Sequence, residues 1–267
     1  GLVFETAGAP PEFPPGVCKP DMKLGSEAAE DVGASDVTLL AMTGDELSVA
    51  FTTGSANTLA LHVADRSSTQ AAFAEVTVTL PDDYDAGNGA TLSSDGLKLV
   101  LSDVTRSNFG QLSRAKRGDA FAGDIDEAPF EKINLLKPMT GDSLGWPLLS
   151  SDGKDLYYVR YAKRALVAQC HRGNDGVFDI GTEIDEFTLG GPQGEHKLLS
   201  GLSADARAIF FFDEKTQHAM ALFRQYEGSP FYNEVDLGAR RGAAPNADCS
   251  RVYSSVAAGV VGLHGLV

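Results

Sequence analysis

The residues best supplied for chemistry in this sequence are carboxylates. Asp and Glu number 37 against 22 Lys and Arg, for a net charge of −15. Asp36, Asp142 and Glu195 stand just before stretches that read as strands. Carboxyl groups held roughly 5–10 Å apart around one axis could serve as the acid and base, or acid and nucleophile, of glycoside hydrolysis. Two further clusters, Asp82, Asp83 and Asp85 with Asn88, and Asn174, Asp175 and Asp179, offer the oxygen ligands that calcium takes. Neither has EF-hand spacing ending in a bidentate Glu, so no cofactor is expected and calcium stays the secondary reading. The single tryptophan, Trp146, suits stacking on a sugar ring or anchoring a peptide, and equally suits plugging a channel. Trp146, His196, Arg241, Asp36, Asp142, Arg160 and His218 form the candidate binding set; no catalytic residue and no metal ligand is assigned.

Composition narrows the partners. An acidic chain with a pI near 4.6 is a poor match for nucleic acid or an anionic membrane surface, which need clustered Lys and Arg. There is no run of apolar residues long enough for a membrane span. A protein or glycan partner and a monomeric chain are expected. Three cysteines, Cys18, Cys170 and Cys249, include no Cys-x-x-Cys pair, which argues against structural zinc.

The elements that must position these residues come from a repeat. Leu92, Ser93, Ser94, Asp95 and Gly96, followed by an apolar run, return at Leu149, Ser150, Ser151, Asp152 and Gly153. Looser copies centre on Asp45, Asp205 and Asp248. The period is about fifty residues, that of one four-stranded propeller blade. Each Asp reads as a turn residue that accepts backbone N–H bonds. Two residues earlier stand Thr43, Ser93, Ser150, Ser203 and Asn246, a ring of small polar groups that could line a central channel. Third strands end in Arg66, Arg117, Arg172 and Arg224, and fourth strands tend to open on Phe, as at 73–80, 130–136 and 231–237; in the third unit the fourth strand is expected at 186–189.

The expected fold is therefore all-β: a five-bladed propeller of four-stranded antiparallel blades. Residues 1–16, rich in proline, read as an extended arm, and 17–267 as the propeller domain. The last unit lacks a fourth strand, so a strand at 17–24 is expected to supply its outer edge. Cys18 and Cys249 then fall on one face of that blade. A disulfide between them is geometrically allowed but not required, and Cys170 is expected to stay a buried thiol.

The Leu-Ser-Ser-Asp-Gly pattern with its following apolar strand resembles the WD-like repeat of TolB-like bacterial propellers. That resemblance implies a periplasmic or secreted protein with a binding or scaffolding role, and it carries no catalytic residue. The TolB proteins themselves have a six-bladed ring and an additional N-terminal domain, which this pattern does not reproduce. Gly141, Asp142, Ser143 and Leu144 match the signature of GDSL esterases, but no His here has an Asp three residues before it. The sequence thus favours a non-catalytic binding propeller, with a propeller glycoside hydrolase or glycan-binding protein as the alternative.

Overall fold

The computed structural model describes residues 18–30, 32, 34, 37–54, 59–81, 84, 89–103, 108–135, 143–161, 165–184, 197–255 and 261–266. Each repeat is built on one knot of hydrogen bonds. In the second repeat Ser93 Oγ donates to Asp95 Oδ1 at 2.5 Å and accepts the Lys98 N–H at 2.9 Å. Asp95 Oδ1 also accepts the Leu97 N–H at 2.9 Å. The knot recurs as Thr43 with Asp45 (2.7 Å), Ser150 with Asp152 (2.8 Å) and Ser203 with Asp205 (2.6 Å). In the last repeat Asn246 Oδ1 accepts from Arg251 N–H, and Asp248 from Ser250 N–H. The small polar ring is therefore spent on tying turns. The residue after each Asp is left-handed, whether or not it is glycine: Gly96 (φ 70°), Gly153 (71°), Glu46 (64°), Ala206 (54°) and Cys249 (53°). The turn imposes that conformation, and three repeats accept the steric cost of a side chain there.

The strands run in chain order. β1 is Leu24–Glu30. β2 (Thr38–Met42), β3 (Ser48–Thr53), β4 (Ala60–Asp65) and β5 (Ala74–Val76) form one four-stranded sheet, in that order. β6 (Ala90–Leu92), β7 (Lys98–Asp103) and β8 (Asn108–Ser113) form a three-stranded sheet. A single 3-10 turn (Ala128–Phe130) and a one-turn helix, α1 (Glu131–Asn134), follow it. β9 (Ser143–Leu149), β10 (Asp155–Tyr161), β11 (Ala165–His171) and β12 (Thr182–Ile184) make the third sheet. β13 (Lys197–Leu202), β14 (Ala208–Asp213), β15 (His218–Arg224) and β16 (Phe231–Asp236) make the fourth. The last sheet is β17 (Arg241–Pro245), β18 (Arg251–Ser255) and β19 (Val261–Leu266), with β1 paired antiparallel to β19 at its edge.

The expectation of five four-stranded blades is therefore corrected. Among the described residues four sheets are complete four-stranded blades, and the sheet of the second repeat has three strands. Its expected fourth strand at 130–136 is instead the 3-10 turn and α1. Pro129 falls in the first turn of that helical segment, where its missing N–H costs nothing, and Glu131 sits in the first turn of α1. One smaller correction follows: the edge strand of the last blade lies at Leu24–Glu30 and not at 17–24. The fourth strand of the third blade is Thr182–Ile184, and the stretch 186–189 expected there lies outside the described residues.

The open edge of β8 is covered by substitutes for a strand. Gln111 and Asp126 exchange backbone hydrogen bonds at 3.0 Å. Further along, the Asn134 side chain mimics a peptide group: its Oδ1 accepts the Phe109 N–H at 2.9 Å and its Nδ2 donates to Phe109 O at 3.1 Å. Asn134→Ala removes both partners and should cost about 1–3 kcal/mol in urea denaturation. Asn134→Asp keeps the acceptor only and should fall between alanine and wild type.

Apolar residues fill every junction between neighbouring sheets. Leu99, Leu101 and Leu112 pack on Ala50 and Val63; Phe109 and Val100 pack on Leu156 and Tyr158. Tyr157 and Val159 pack on Phe211 and Leu222, Phe210 and Phe223 on Val252 and Ala243, and Tyr253 on Val49 and Phe51. The core is thus a closed circuit of interfaces between sheets, as expected of a propeller.

Candidate functional site

Four inner strands carry a bulge five or six residues before the turn Asp. The extra residue is Leu40 in β2, Ser200 in β13 and Gly242 in β17, and in β9 it falls at Trp146 and Pro147. Six residues before the turn Asp stand Gly89, Trp146 and Gly242, and all three have positive φ: 85°, 53° and 82°. Left-handed backbone suits the glycines, while a tryptophan there is strained. Trp146 is half-buried and packs against the cores on both sides of β9. A Cβ built on Gly89 would lie 2.9 Å from Trp146 Cε3, so the indole needs a glycine beside it.

The other candidates divide into those described and those not. Arg241 opens β17, exposed, with its carbonyl accepting from Ser255 Oγ. Arg160 lies on β10 opposite Leu144 and Leu166. His218 opens β15, and its Nδ1 lies 2.8 Å from Asp236 Oδ2. Antiparallel alternation puts Arg241, Arg160 and His218 toward the end where inner strands begin, opposite the Asp turns. Asp36, Asp142 and His196 lie outside the described residues, as does Glu195. Ser143 is the first residue of strand β9, not a residue on a strand-to-helix turn. In the second acidic loop Asp175 accepts from Val177 N–H and Lys132 Nζ, and Asp179 from the N–H groups of His171 and Gly181. Among the described residues no three His, Cys, Asp or Glu side chains gather as a metal site would require.

What sequence reading missed is the use of the recurring arginines. Three of them close their own turns and reach the preceding sheet, whereas Arg172 donates through Nε to Gly176 O at 2.7 Å. Arg66, Arg114 and Arg224 donate through Nε to the carbonyl of the left-handed residue, Glu46, Gly96 and Ala206, at 2.6, 2.8 and 2.8 Å. Each guanidinium stacks on a phenylalanine seven residues on, Phe73, Phe121 or Phe231, at 4.4, 4.4 and 4.8 Å. In the second repeat the arginine in this role is Arg114; Arg117, expected there, lies partly exposed and pairs with Asp45 at 2.7 Å. Across the junctions Arg224 Nη2 donates to Tyr157 OH (2.8 Å) and Arg66 Nη2 to Tyr253 OH (3.0 Å). Tyr253 OH in turn donates to buried Glu46, which also takes Asn246 Nδ2 and Arg251 Nη2. The signal that could have found this is the Arg-x6-Phe spacing in three repeats.

On the axis, at the turn face, a cavity of about 250 Å3 is lined by all five repeats. Its rim is stitched by Ser94 Oγ to Ser151 O (2.6 Å), Ser151 Oγ to Ala204 O (2.7 Å) and Ala247 N–H to Gly44 O (2.8 Å). Asp45 is the carboxylate in its lining, and it carries the Arg117 ion pair. Several described aspartates have displaced acidity, all downward. Burial would raise Asp65, Asp95 and Asp152, but the donors around each outweigh it. Val177 N–H and Lys132 lower Asp175, His218 and Gly238 N–H lower Asp236, and Ser250 lowers Asp248.

Cys18 and Cys249 are joined by a disulfide, with Cα atoms 5.1 Å apart. Cys170 is a buried thiol; burial pushes it well above the usual range, and its Sγ donates to Leu156 O at 3.4 Å. No helix among the described residues is long and apolar enough to cross a membrane.

No protein-family model matches the chain, and no curated protein matches it in sequence. Solved structures of propeller type resemble it at low identity. A luciferin-regenerating enzyme is 12% identical with a TM-score of 0.48, covering 91% of this chain and 80% of its own. The periplasmic gluconolactonase of Pseudomonas aeruginosa is 14% identical with a TM-score of 0.45, covering 82% and 64%. TolB from Acinetobacter baumannii is 12% identical with a TM-score of 0.47, covering 84% and 53%. The chain thus spans under two thirds of the gluconolactonase and about half of the TolB chain.

Proposed function

We propose that this protein is an exported, non-catalytic binding or scaffolding propeller of TolB-like kind. Its protein or glycan partner is engaged on the face where the inner strands begin, around Trp146, Arg160, His218 and Arg241. The observation that carries this is the backbone of Trp146. A bulky residue at φ 53° occupies the place, six residues before the turn Asp, that two other repeats give to a left-handed glycine. Such strain costs roughly 1–3 kcal/mol, and residues that keep it cluster at binding and catalytic sites. A half-buried indole packed against two cores is a rigid anchor that loses little entropy on binding. One further feature supports the rest of the reading: the Cys18–Cys249 bond suits an oxidising compartment such as the periplasm or the cell exterior.

The test pairs a glycan array with a screen on chromogenic glycosides. Binding without turnover is expected. Trp146→Ala should weaken it by about 1–3 kcal/mol, roughly 5- to 150-fold. Trp146→Gly should lose binding equally while unfolding at higher urea than Trp146→Ala, because glycine relieves the left-handed strain. Glycoside turnover, or binding unchanged in both variants, counts against the proposal.

A further inference from the structure

Two junctions of this propeller share one frame and differ in what fills it. Between the first blade and the three-stranded sheet, the Asp65 carboxylate sits in a built cradle. Arg114 donates to it through Nη1 at 2.5 Å and Nη2 at 2.9 Å, Gly118 N–H at 2.8 Å and Ser48 Oγ at 2.6 Å. Gly118 is left-handed, at φ 85°, which turns its N–H to the carboxylate. Between the third and fourth blades the frame recurs. Arg224 stands where Arg114 stands, with the same Nε bond and the same phenylalanine stack. Gly228, four residues on, has φ 83°.

The carboxylate is missing. The last residue of the third strand, Asp65 in the first blade, is His171 in the third. Its ring leans to Asp155, with Nδ1 3.2 Å from Oδ1. Arg224 is 1% exposed and has no carboxylate partner among the described residues. Its Nη1 reaches only Gln169 Oε1, at 3.5 Å. Gly228 N–H donates to no described atom. In place of the carboxylate there is a cavity of about 400 Å3, lined by Arg224, Gly228, Gln169, Asp155, His171 and Glu183. That volume is within the roughly 300–1,000 Å3 of small-molecule sites. Asp155 is 6% exposed, and its Oδ2 accepts no hydrogen bond among the described residues.

We propose that this cavity binds a free α-amino acid with a cationic side chain. The ligand's carboxylate takes the place that Asp65 fills in the other junction, against Arg224 and Gly228 N–H. Its cationic groups face the carboxylate side of the cavity, at Asp155; Asp155 and Asp179 against the single charge of Arg224 leave that side net negative and select a net positive ligand. This site goes beyond the partner face proposed above and uses none of its residues.

Calorimetric titration with L-lysine, L-arginine, L-glutamate and cadaverine tests it. Lysine or arginine should bind with submillimolar Kd. Glutamate, which adds a negative charge, and cadaverine, which has no carboxylate, should bind at least tenfold more weakly. Asp155→Asn should weaken lysine at least tenfold, and Arg224→Gln should abolish its binding. Because Arg224 is buried and its variant could fail to fold, the Gly228 amide resonance in wild type gives the second readout, and it should shift on lysine addition. The proposal is overturned if neither basic amino acid binds, if cadaverine binds as well as lysine, if Asp155→Asn binds lysine unchanged, or if the Gly228 amide does not move. Since Trp146 takes no part, loss of this site leaves glycan binding unaffected, and the reverse holds.

Discussion

Arg114→Ala is expected to destabilise the protein by about 3–5 kcal/mol, measured by urea unfolding at pH 7. The reason is what it strands. Asp65 is 7% exposed, and among the described residues Arg114 supplies two of its four hydrogen bonds and the only countercharge within ion-pair distance. Truncating the arginine leaves a buried anion with only Ser48 and the Gly118 N–H, and also removes the Phe121 stack and the clamp on Gly96 O. The double variant Arg114→Ala with Asp65→Asn should recover part of the loss, because no charge is then buried unpaired. The pair also sets an acid dependence. Burial raises the Asp65 carboxyl, but the bonds from Arg114, Ser48 and Gly118 more than offset it, so the folded value lies below the ordinary one. A depressed folded value gives stability that is fully present above the unfolded value of about 3.9 and is lost as pH falls through the folded one. The stability gap between wild type and Asp65→Asn should therefore be constant from neutral pH down to about pH 5 and close below it. A gap that does not narrow in acid would mean that the carboxylate charge is not what stabilises this junction.

Breaking the Cys18–Cys249 bond is the second large effect. The bond spans a sequence separation of 231, and the chain-entropy estimate for such a loop is about 5 kcal/mol as a ceiling. Cys18→Ser is expected to cost about 2–5 kcal/mol. For a domain of this size that lowers the unfolding midpoint by roughly 5–15 °C. Part of the effect is local. Cys18 and Met22 pack between the fourth and last blades against Phe210, Phe223 and Val252, so the bond holds the approach to β1 in place. Reducing agent should reproduce the loss in wild type and change nothing further in the variant. Cys170 does not compete for pairing, since burial disfavours its thiolate. Mass spectrometry of a non-reduced digest gives the direct readout; separate Cys18 and Cys249 peptides from oxidised protein would overturn the bond.

The sequence carries the repeat and little of what joins one repeat to the next. Asp95 with Ser93 is legible because both ends of the bond lie in one turn, and the same holds at Asp152 and Asp205. The arginines are legible as positions, but their partners are not: Arg66 and Tyr253 meet only once the ring has closed. β1 is weakly legible because Leu24–Glu30 has little strand propensity; the open edge of β19 dictates the pairing, and tertiary context overrides local preference. The missing strand of the second repeat could have been read from Pro129, which suits a helix start better than a strand interior. The strain at Trp146 becomes legible only by aligning it with Gly89 and Gly242. Of the candidate site, Trp146, Arg160, His218 and Arg241 have positions in the structure, but their sequence spacing predicts no contact among them, since each belongs to a different strand.

The bond between Cys18 and Cys249 makes nearly the whole propeller a covalent circle. A protease that nicks any one loop inside that circle produces two peptides still joined end to end, one through Cys18 and the other through Cys249. Nothing diffuses away, and the nicked chain keeps its full mass until it is reduced. Release of a fragment from within the circle takes two separate cuts, so loss of material rises with the square of loop cleavage and not in direct proportion to it.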